Sequence, residues 1–441
     1  MFDFFLIPNK SIAGIFWAVI LLFIFSYYFR QKKKWEILAL VLLTLPISCL
    51  LLTSESRAGW LGCITGLFYV AYQHISARQR KKLFIAATLF ICLFFLALVF
   101  YKSDSSSGRK HIYKISSGIL RDNWVSGIGL GKLKSHFNEY QANYFFNHSI
   151  DNKTALLADN TFYALNDYLQ WGIETGLSGL LFLVFILYLI VRRVLFLQKE
   201  YNKKPIITAA SSGFICIGTA SLFSYPMQIW QLQFLALVFI GIIIFLPLVT
   251  DSLSLTKKIV TILIRTTYIL LSCFFLFSTI SLLKRKRMAK NAFELARAGY
   301  RTKAIEEYKK LSSFYPVNGA NNLLLAEQLY YSNKLDEALI ALQETKKYYV
   351  DHKVYKLQAQ IENELGKYAD AEKSYLRAIY MVPNRMGSRF DLMNFYISRA
   401  DTLNAVNWAN SILKMPVKVP SERSETMLRA TKEVLSKLEN H

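Results

Sequence analysis

The chain has 441 residues, of which 53% are hydrophobic and 15% aromatic, and its formal net charge is +23. Its mean hydropathy of +0.26 is too high for an ordinary soluble enzyme, and the apolar residues are concentrated before residue 283. This composition indicates a membrane protein with a soluble tail. The positive charge favours anionic lipid or diphosphate neighbours and not nucleic acid.

Eight apolar runs before residue 283 approach the roughly 20 residues that a helix needs to cross a bilayer. They are 11–29, 36–53, 58–73, 83–101, 177–191, 206–224, 229–250 and 259–283. The first run is not a removable signal peptide, because its basic cluster follows it. All five cysteines lie within these runs, so they define neither a disulfide framework nor a metal site. Residues 1–283 are therefore predicted to form an all-α, polytopic transmembrane helical bundle of about eight spans.

Basic loops set the predicted orientation of this bundle. Clusters at 30–35, 77–82, 192–204 and 256–258 each follow an odd-numbered span, and such loops prefer the cytoplasm. The long polar segment 102–172 and everything after residue 283 are then expected on the opposite, extracytoplasmic side. The run KRKR directly after the last span opposes this placement of the tail, because it too prefers the cytoplasm.

From residue 288 onward the sequence consists of amphipathic helical segments that repeat. Four of them carry a marker alanine, with spacings of 34, 33 and 34 residues. These are Ala304, Ala338, Ala371 and Ala405. Pro316, Pro383 and Pro416 end repeating helices, and the whole pattern resembles the tetratricopeptide (TPR) repeat. Residues 284–441 are therefore predicted to be a TPR-like α-solenoid that docks a protein partner and carries no catalytic group.

Arg57 interrupts an otherwise apolar stretch, LLTSESRAGWLG at 51–62. A charge at a membrane boundary indicates a functional site unless it simply snorkels to the interface. The predicted topology brings Arg57 to the same side as segment 102–172, which carries Arg109 and a basic surrounding. That surrounding consists of Lys110, His111, Lys114 and Arg121. Arg109 could also be an ordinary solvated surface charge.

Four motifs occur in an order and spacing similar to the core of the O-antigen ligase and polymerase superfamily. They are SRAGWLG (56–62), GR (108–109), GIGLGKLKSHFNEYQ (127–141) and NDYLQWGIETGLSGLL (166–181). FLIPNKSIAGIF (5–16) also resembles the Asn-Pro signature of that family in altered form. Members of the family transfer a glycan from a polyprenyl diphosphate to a hydroxyl acceptor outside the cytoplasmic membrane.

The resemblance implies a membrane glycosyltransferase at the outer face of the bacterial inner membrane, acting in lipopolysaccharide or polysaccharide biosynthesis without a cofactor. Arg57 and Arg109 match the family arginines that hold the donor diphosphate. Guanidinium groups bind phosphate oxygens in a bidentate way and stabilise negative charge on the leaving diphosphate, so the chemistry requires no metal ion.

One departure from the family pattern concerns the general base. Members commonly carry a His directly before the Asn of NDYLQ, and this chain has Leu165, which cannot accept a proton. The nearby candidates for the base are Asp167, Glu174, His148 and Asp159, with Asp167 preferred. If 159–175 is helical, the first two share one face of the helix. Glu174 could instead pair locally, and His148 could be an idle surface residue.

The sequence leaves several functions open. A glycan ligase and a polysaccharide polymerase use the same donor and differ in their acceptor. Family members also carry further spans before the Asn-Pro signature, so this chain could be a fragment, a mis-assigned start or half of a split pair. If those spans are required, the chain is a degenerate, non-catalytic scaffold that acts through its TPR tail. A flippase or transporter is a third alternative.

Overall fold

The computed structural model describes residues 9–28, 34–101, 103–148, 152–200, 205–245, 255–314, 319–417 and 420–439. Within these ranges the chain is helical and contains no strand, which confirms the predicted all-α class. The helices are α1 (Lys10–Tyr28), α2 (Lys34–Thr53), α3 (Arg57–His74), α4 (Ala77–Tyr101), α5 (Ser103–Asp122), α6 (Leu133–Asn147), α7 (Asn152–Leu157), α8 (Asp167–Glu200), α9 (Pro205–Ser221), α10 (Trp230–Phe245), α11 (Leu255–Arg297), α12 (Arg301–Phe314), α13 (Gly319–Tyr331), α14 (Leu335–Lys346), α15 (His352–Glu364), α16 (Tyr368–Met381), α17 (Met386–Ser398), α18 (Thr402–Leu413) and α19 (Glu422–Glu439).

These helices form two compact units that alternate along the chain. The first unit comprises Met1–Ser103, Ala164–Gly172 and Leu177–Ile280, and the second comprises Asp104–Tyr163, Ile173–Gly176 and Ser281–His441. Most of the segment between the fourth and fifth spans therefore groups with the tail. The domain limits derived from the sequence, 1–283 and 284–441, stay a prediction.

Each of the eight predicted spans overlaps one helix of the structure. In the described ranges, four helical stretches are long and apolar enough to cross a membrane. They are Lys10–Tyr28, Lys34–Thr53, Asp167–Leu197 and Arg265–Arg297, and Pro205–Ser221 and Trp230–Phe245 are shorter apolar helices. The spans predicted within α3 and α4 are not among these six. The chain is a multi-pass membrane protein.

The core of the first unit is the three-helix contact of α1, α3 and α9. Small residues line it, since interior helices without a hydrophobic driving force associate by close backbone approach. A Cβ atom at Gly59 would lie 2.8 Å from the carbonyl carbon of Gly14, and one at Gly62 would lie 2.7 Å from the carbonyl oxygen of Cys216. Any side chain at these two glycines would therefore push the helices apart.

The second unit contains the repeat, in which consecutive helices from α12 to α19 pack as antiparallel neighbours. All four marker alanines are fully buried, as expected for the small residues that permit close helix packing. α16 ends two residues before Pro383, and α18 ends three residues before Pro416. Pro316 lies outside the described residues. The helical repeat predicted from the alanine spacing is thus present.

The polar segment 102–172 is mainly helical, and its helix α6 packs against α16 of the repeat. Buried side chains make the contact: Asn138 donates to the carbonyl of Val350 at 2.7 Å, and Gln141 donates to the carbonyl of Met381 at 2.6 Å. A packed contact of this kind requires the segment and the tail to lie on the same side of the membrane. The predicted topology agrees, because an even number of spans, four, separates the segment from the tail and returns the chain to the same side.

Candidate functional site

Arg57 is the first residue of α3, and it follows a tight turn between α2 and α3. Glu55 adopts a left-handed backbone with φ of 51°, which ends the preceding turn. Ser56 then caps the helix, because its hydroxyl accepts the backbone N–H of Gly59 at 3.0 Å. The guanidinium of Arg57 is thus carried at the positive end of a helix dipole, a location that favours anions.

The start of α1 lies beside the start of α3. Asn9 caps α1 by accepting the N–H of Ser11 at 2.8 Å, and its amide donates to the hydroxyl of Tyr225 at 3.1 Å. The hydroxyls of Ser11 and Ser56 are 3.4 Å apart. Polar groups from three parts of the first unit therefore meet at one end of its helices. We call this group, together with Arg57, Asp167 and the backbone of Met227, the polar cluster.

Asp167 joins the polar cluster at the start of α8. Its Oδ2 accepts the backbone N–H of Met227 at 2.9 Å, and the side chain is buried. A carboxylate at the first position of a helix interacts favourably with the helix dipole. A carboxylate is also one of the side chains that can serve as a general base.

The helical face predicted over 159–175 is only partly correct, because α8 begins at Asp167. Leu165 has φ of 54°, which ends any helix before it. Asn166 then caps α8 by accepting the N–H of Leu169 at 3.0 Å. His is among the few residues enriched in the left-handed conformation, so the backbone at Leu165 suits the His that the family carries there.

Glu174 is held by the glycine-rich loop 127–131 of the second unit. Its Oε2 accepts the N–H of Gly131, and its carbonyl accepts that of Gly129, both at 2.9 Å. Gly176 interrupts the helix with φ of 67°, and a Cβ atom there would lie 2.3 Å from the carbonyl oxygen of Val125. The local pairing that the sequence left open for Glu174 is therefore present.

Arg109 lies on helix α5, whereas a polar loop was expected there from the sequence. His111 and Lys114 of α5 face α6: the Nε2 atom of His111 lies 3.0 Å from Oε1 of Gln141, and the ammonium of Lys114 donates to the hydroxyl of Tyr144 at 3.1 Å. Burial lowers the pKa of His111, and the Gln141 hydrogen bond opposes that shift. The charge of this region therefore comes from its arginine and lysines at neutral pH.

The two remaining candidate bases are committed to local contacts in the second unit. His148 is exposed at the end of α6, where its Nδ1 atom lies 2.9 Å from the carbonyl of Tyr144 and its ring stacks on the Tyr144 ring. Asp159 forms an ion pair with Arg385 of the tail at 3.1 Å. Neither contact involves the polar cluster.

The predicted site residues are thus divided between the units. Arg57 and Asp167 belong to the first unit, whereas Arg109, His148 and Glu174 belong to the second. Sequence reasoning missed the polar cluster partners Asn9, Ser56 and Tyr225. The first two could have been found as capping residues directly before an apolar helix. Tyr225 lies between apolar runs and gives no local signal. Across the described ranges, no group of three or more His, Cys, Asp or Glu side chains could hold a metal ion.

The comparisons with known proteins bear on this arrangement. Residues 41–184 match the family model for O-Antigen ligase. All five predicted site residues lie inside this ligase-like segment, as does Leu165. The match supports a function of the membrane glycan ligase or polymerase type, with a lipid-linked glycan as substrate.

The two other comparisons add little. No curated protein matches the chain. Among solved structures, the crystal structure of the MamA protein is similar over 35% of this chain and 86% of that chain. The identity is 15% and the TM-score is 0.29.

Proposed function

We propose that the chain is a glycosyltransferase of the O-antigen ligase type, which moves a polyprenyl-diphosphate-linked glycan to a hydroxyl acceptor. The observation that carries this proposal is that Arg57 and Asp167 each begin a helix of the first unit within the ligase-like segment 41–184. Phosphate groups are among the anions that such a helix start and a guanidinium bind. A polysaccharide polymerase would use the same donor and the same groups, and differs only in its acceptor.

Arg57 and Arg109 hold the donor diphosphate in this proposal. Each presents a planar fork that can donate two parallel hydrogen bonds to phosphate oxygens, and each stays charged at any working pH. As the glycan leaves, negative charge grows on the diphosphate, and fixed guanidinium groups stabilise that charge without rearranging. Lys110 and Lys114 of α5 add positive charge near Arg109 and share this role.

Asp167 is the proposed base that takes the proton of the acceptor hydroxyl. It is buried, it begins α8 where its carboxylate accepts the backbone N–H of Met227, and it belongs to the first unit, as Arg57 does. Glu174 has one oxygen committed to the glycine loop, and His148 is exposed and bonded within its own helix. Glu174 and His148 are therefore the second and third candidates for the base.

The reaction is proposed to take place at the outer face of the bacterial inner membrane. Basic loops after odd-numbered spans favour an extracytoplasmic position for segment 102–172. The contact between α6 and α16 brings the tail to the same side, which argues against a cytoplasmic tail despite KRKR at 284–287. A reporter fused after His441 should therefore show extracytoplasmic activity, and cytoplasmic activity would contradict the proposed orientation.

A complementation assay of envelope glycan attachment tests the proposal. Arg57→Lys and Arg109→Lys should each impair transfer despite the retained charge, because the bidentate fork is lost. Asp167→Asn should abolish transfer, since it keeps shape and removes basicity. Matched controls are Arg429→Lys and Asp122→Asn, which alter exposed ion pairs on α19 and at the end of α5. Normal attachment with Asp167→Asn, at normal protein level, would eliminate it as the base.

Leu165 favours a second candidate function, a degenerate protein that no longer transfers glycan. A leucine at the position of the family His removes the usual base. In that case the wild-type protein supports no attachment, and none of the substitutions above changes the outcome. Attachment by the wild type that is lost in the arginine variants would eliminate this candidate.

A further inference from the structure

Helix α6 of the second unit is held on one side by the repeat tail. Glu139 accepts from Nε of Arg377 at 2.9 Å and from the hydroxyl of Tyr355 at 2.7 Å, and Arg377 also donates to the backbone carbonyl of Glu139. The buried amide of Asn138 donates to the carbonyl of Val350. Hydrogen bonds to backbone carbonyls fix α6 against the main chain of the tail, not merely against mobile side chains.

On its other side, α6 holds the basic helix α5. The hydroxyl of Tyr144 accepts from Lys114, whose ammonium also lies 4.6 Å from the centre of the Tyr144 ring. His111 packs its ring edge-on to Tyr144 and tilted against Phe145. Since His111 and Lys114 are one helical turn apart, α5 is held against α6 at two points on one helix face.

Gln141 connects the two sides through the two ends of one amide group. Its Nε2 donates to the carbonyls of Met381 and Asp159, at 2.6 and 3.2 Å. Both of these partners are acceptors, so the amide oxygen must be the end that faces His111, 3.0 Å from its Nε2. The imidazole therefore donates from Nε2, and its tautomer and ring orientation follow from where the tail holds Gln141.

We propose that the tail acts as an intramolecular clamp, formed by Val350, Arg377 and Met381, which positions the basic helix α5 through Gln141. Gln141 is thus a positioning residue, and its partner His111 lies two positions after Arg109 on α5. The effect on transfer rests on the proposed function. The tail surface that contacts α6 is occupied by the protein's own chain. This part of the tail surface is therefore not available to a protein partner while α6 is bound to it.

Crosslinking of the full-length protein in membranes tests the clamp without reference to activity. The rings of Phe146 on α6 and Tyr380 on α16 are 5.5 Å apart, and all native cysteines belong to the first unit. A Phe146→Cys and Tyr380→Cys pair should be joined by a short, water-soluble bismaleimide. After cleavage at a protease site introduced at 201–204, between the two cysteines in the sequence, the two crosslinked halves should migrate together on a gel. The control pairs Phe146→Cys with Leu403→Cys, an exposed position on α18, and its halves should separate after cleavage because they are not crosslinked. Separated halves with the first pair would overturn the clamp.

Transfer measurements test the positioning role. Gln141→Leu should lower the rate of glycan attachment about tenfold, the equivalent of one lost hydrogen bond, whereas Gln343→Leu at an exposed site on α14 should not. If Gln141 acts through His111, adding Gln141→Leu to His111→Phe should cause no further loss. Losses that multiply in the double variant would indicate simple packing and overturn the positioning role. If the wild type shows no transfer, the proposed function fails, and the crosslink alone decides the clamp.

Discussion

The contact between Glu139 and Arg377 offers the sharpest energetic test of the second unit. Both side chains are about three-quarters buried, with exposed fractions of 24% and 27%. Arg377 donates from both Nε and Nη2 to the same carboxylate oxygen, Oε2, and Oε1 accepts from Tyr355. Charge-assisted hydrogen bonds of this kind contribute about 1.5–3 kcal/mol, whereas exposed ion pairs contribute roughly 0.2–1 kcal/mol. The structure therefore predicts a coupling free energy of about 2 kcal/mol for this pair.

A double-mutant cycle measures that coupling. Arg377→Leu, Glu139→Gln and the double variant are compared with the wild type by pulse proteolysis of the detergent-purified, full-length protein in increasing denaturant. Arg377→Leu alone should lower the free energy of unfolding of the second unit most, because it leaves a largely buried carboxylate with only the Tyr355 hydroxyl as a side-chain donor. The double variant should recover part of this loss.

The control cycle uses Lys309 and Glu337, which pair at 2.7 Å between α12 and α14 with exposed fractions of 52% and 45%. Its coupling should stay below about 1 kcal/mol. A coupling for Glu139 and Arg377 no larger than that of the control would refute the view that α6 is fixed to the tail by a desolvated ion pair.

Three further predictions concern stability. Burial lowers the pKa of Lys346 from 10.5 to about 8, so between these pH values the unfolded state binds more protons and the wild type becomes more stable as pH rises. The free energy of unfolding of the wild type should therefore increase by about 3 kcal/mol relative to Lys346→Met across that range. A difference between the two proteins that does not change with pH would contradict this. Gly176→Ala should destabilise the protein by at least about 1–3 kcal/mol, because the new Cβ atom would meet the carbonyl of Val125 and the backbone there is left-handed. Gly118→Ala should not, because a Cβ atom there meets nothing within 4 Å, and thermal unfolding of the two variants measures the difference. Leu165→Asn should raise the unfolding temperature slightly, since Asn tolerates φ of 54° better than Leu, and a lower temperature would show that the side chain of Leu165 packs favourably.

The sequence predicted the elements whose signals are local. Apolar length located the helices that overlap the eight runs, and the spacing of Ala304, Ala338, Ala371 and Ala405 located the repeat, because both patterns reflect burial along one element. Arg57 and Asp167 were selected as charges beside apolar runs. Both turned out to be the first residues of helices, where capping side chains precede them.

The long-range arrangement was beyond the reach of these signals. Nothing in the periodicity of α6 indicates that Glu139 meets a residue 238 positions later in the chain. The left-handed turns at Glu55 and Leu165 were also missed, since Gly and Asn usually mark such positions and neither residue carries that signal. The helix expected over 159–166 is absent for this reason.

The separation between α6 and its clamp has a consequence for biosynthesis. A ribosome that has just added Glu139 must add 238 more residues before Arg377 exists, which takes roughly 12–48 s at about 5–20 residues per second. During that interval α6 has been made but the tail surface that holds it has not. Any chain that terminates before the end of α16 lacks part of the clamp formed by Val350, Arg377 and Met381. Synthesis through α16 thus becomes the step that commits the polypeptide to its working arrangement, so that only chains that extend past Met381 can assemble α5 and α6 as described.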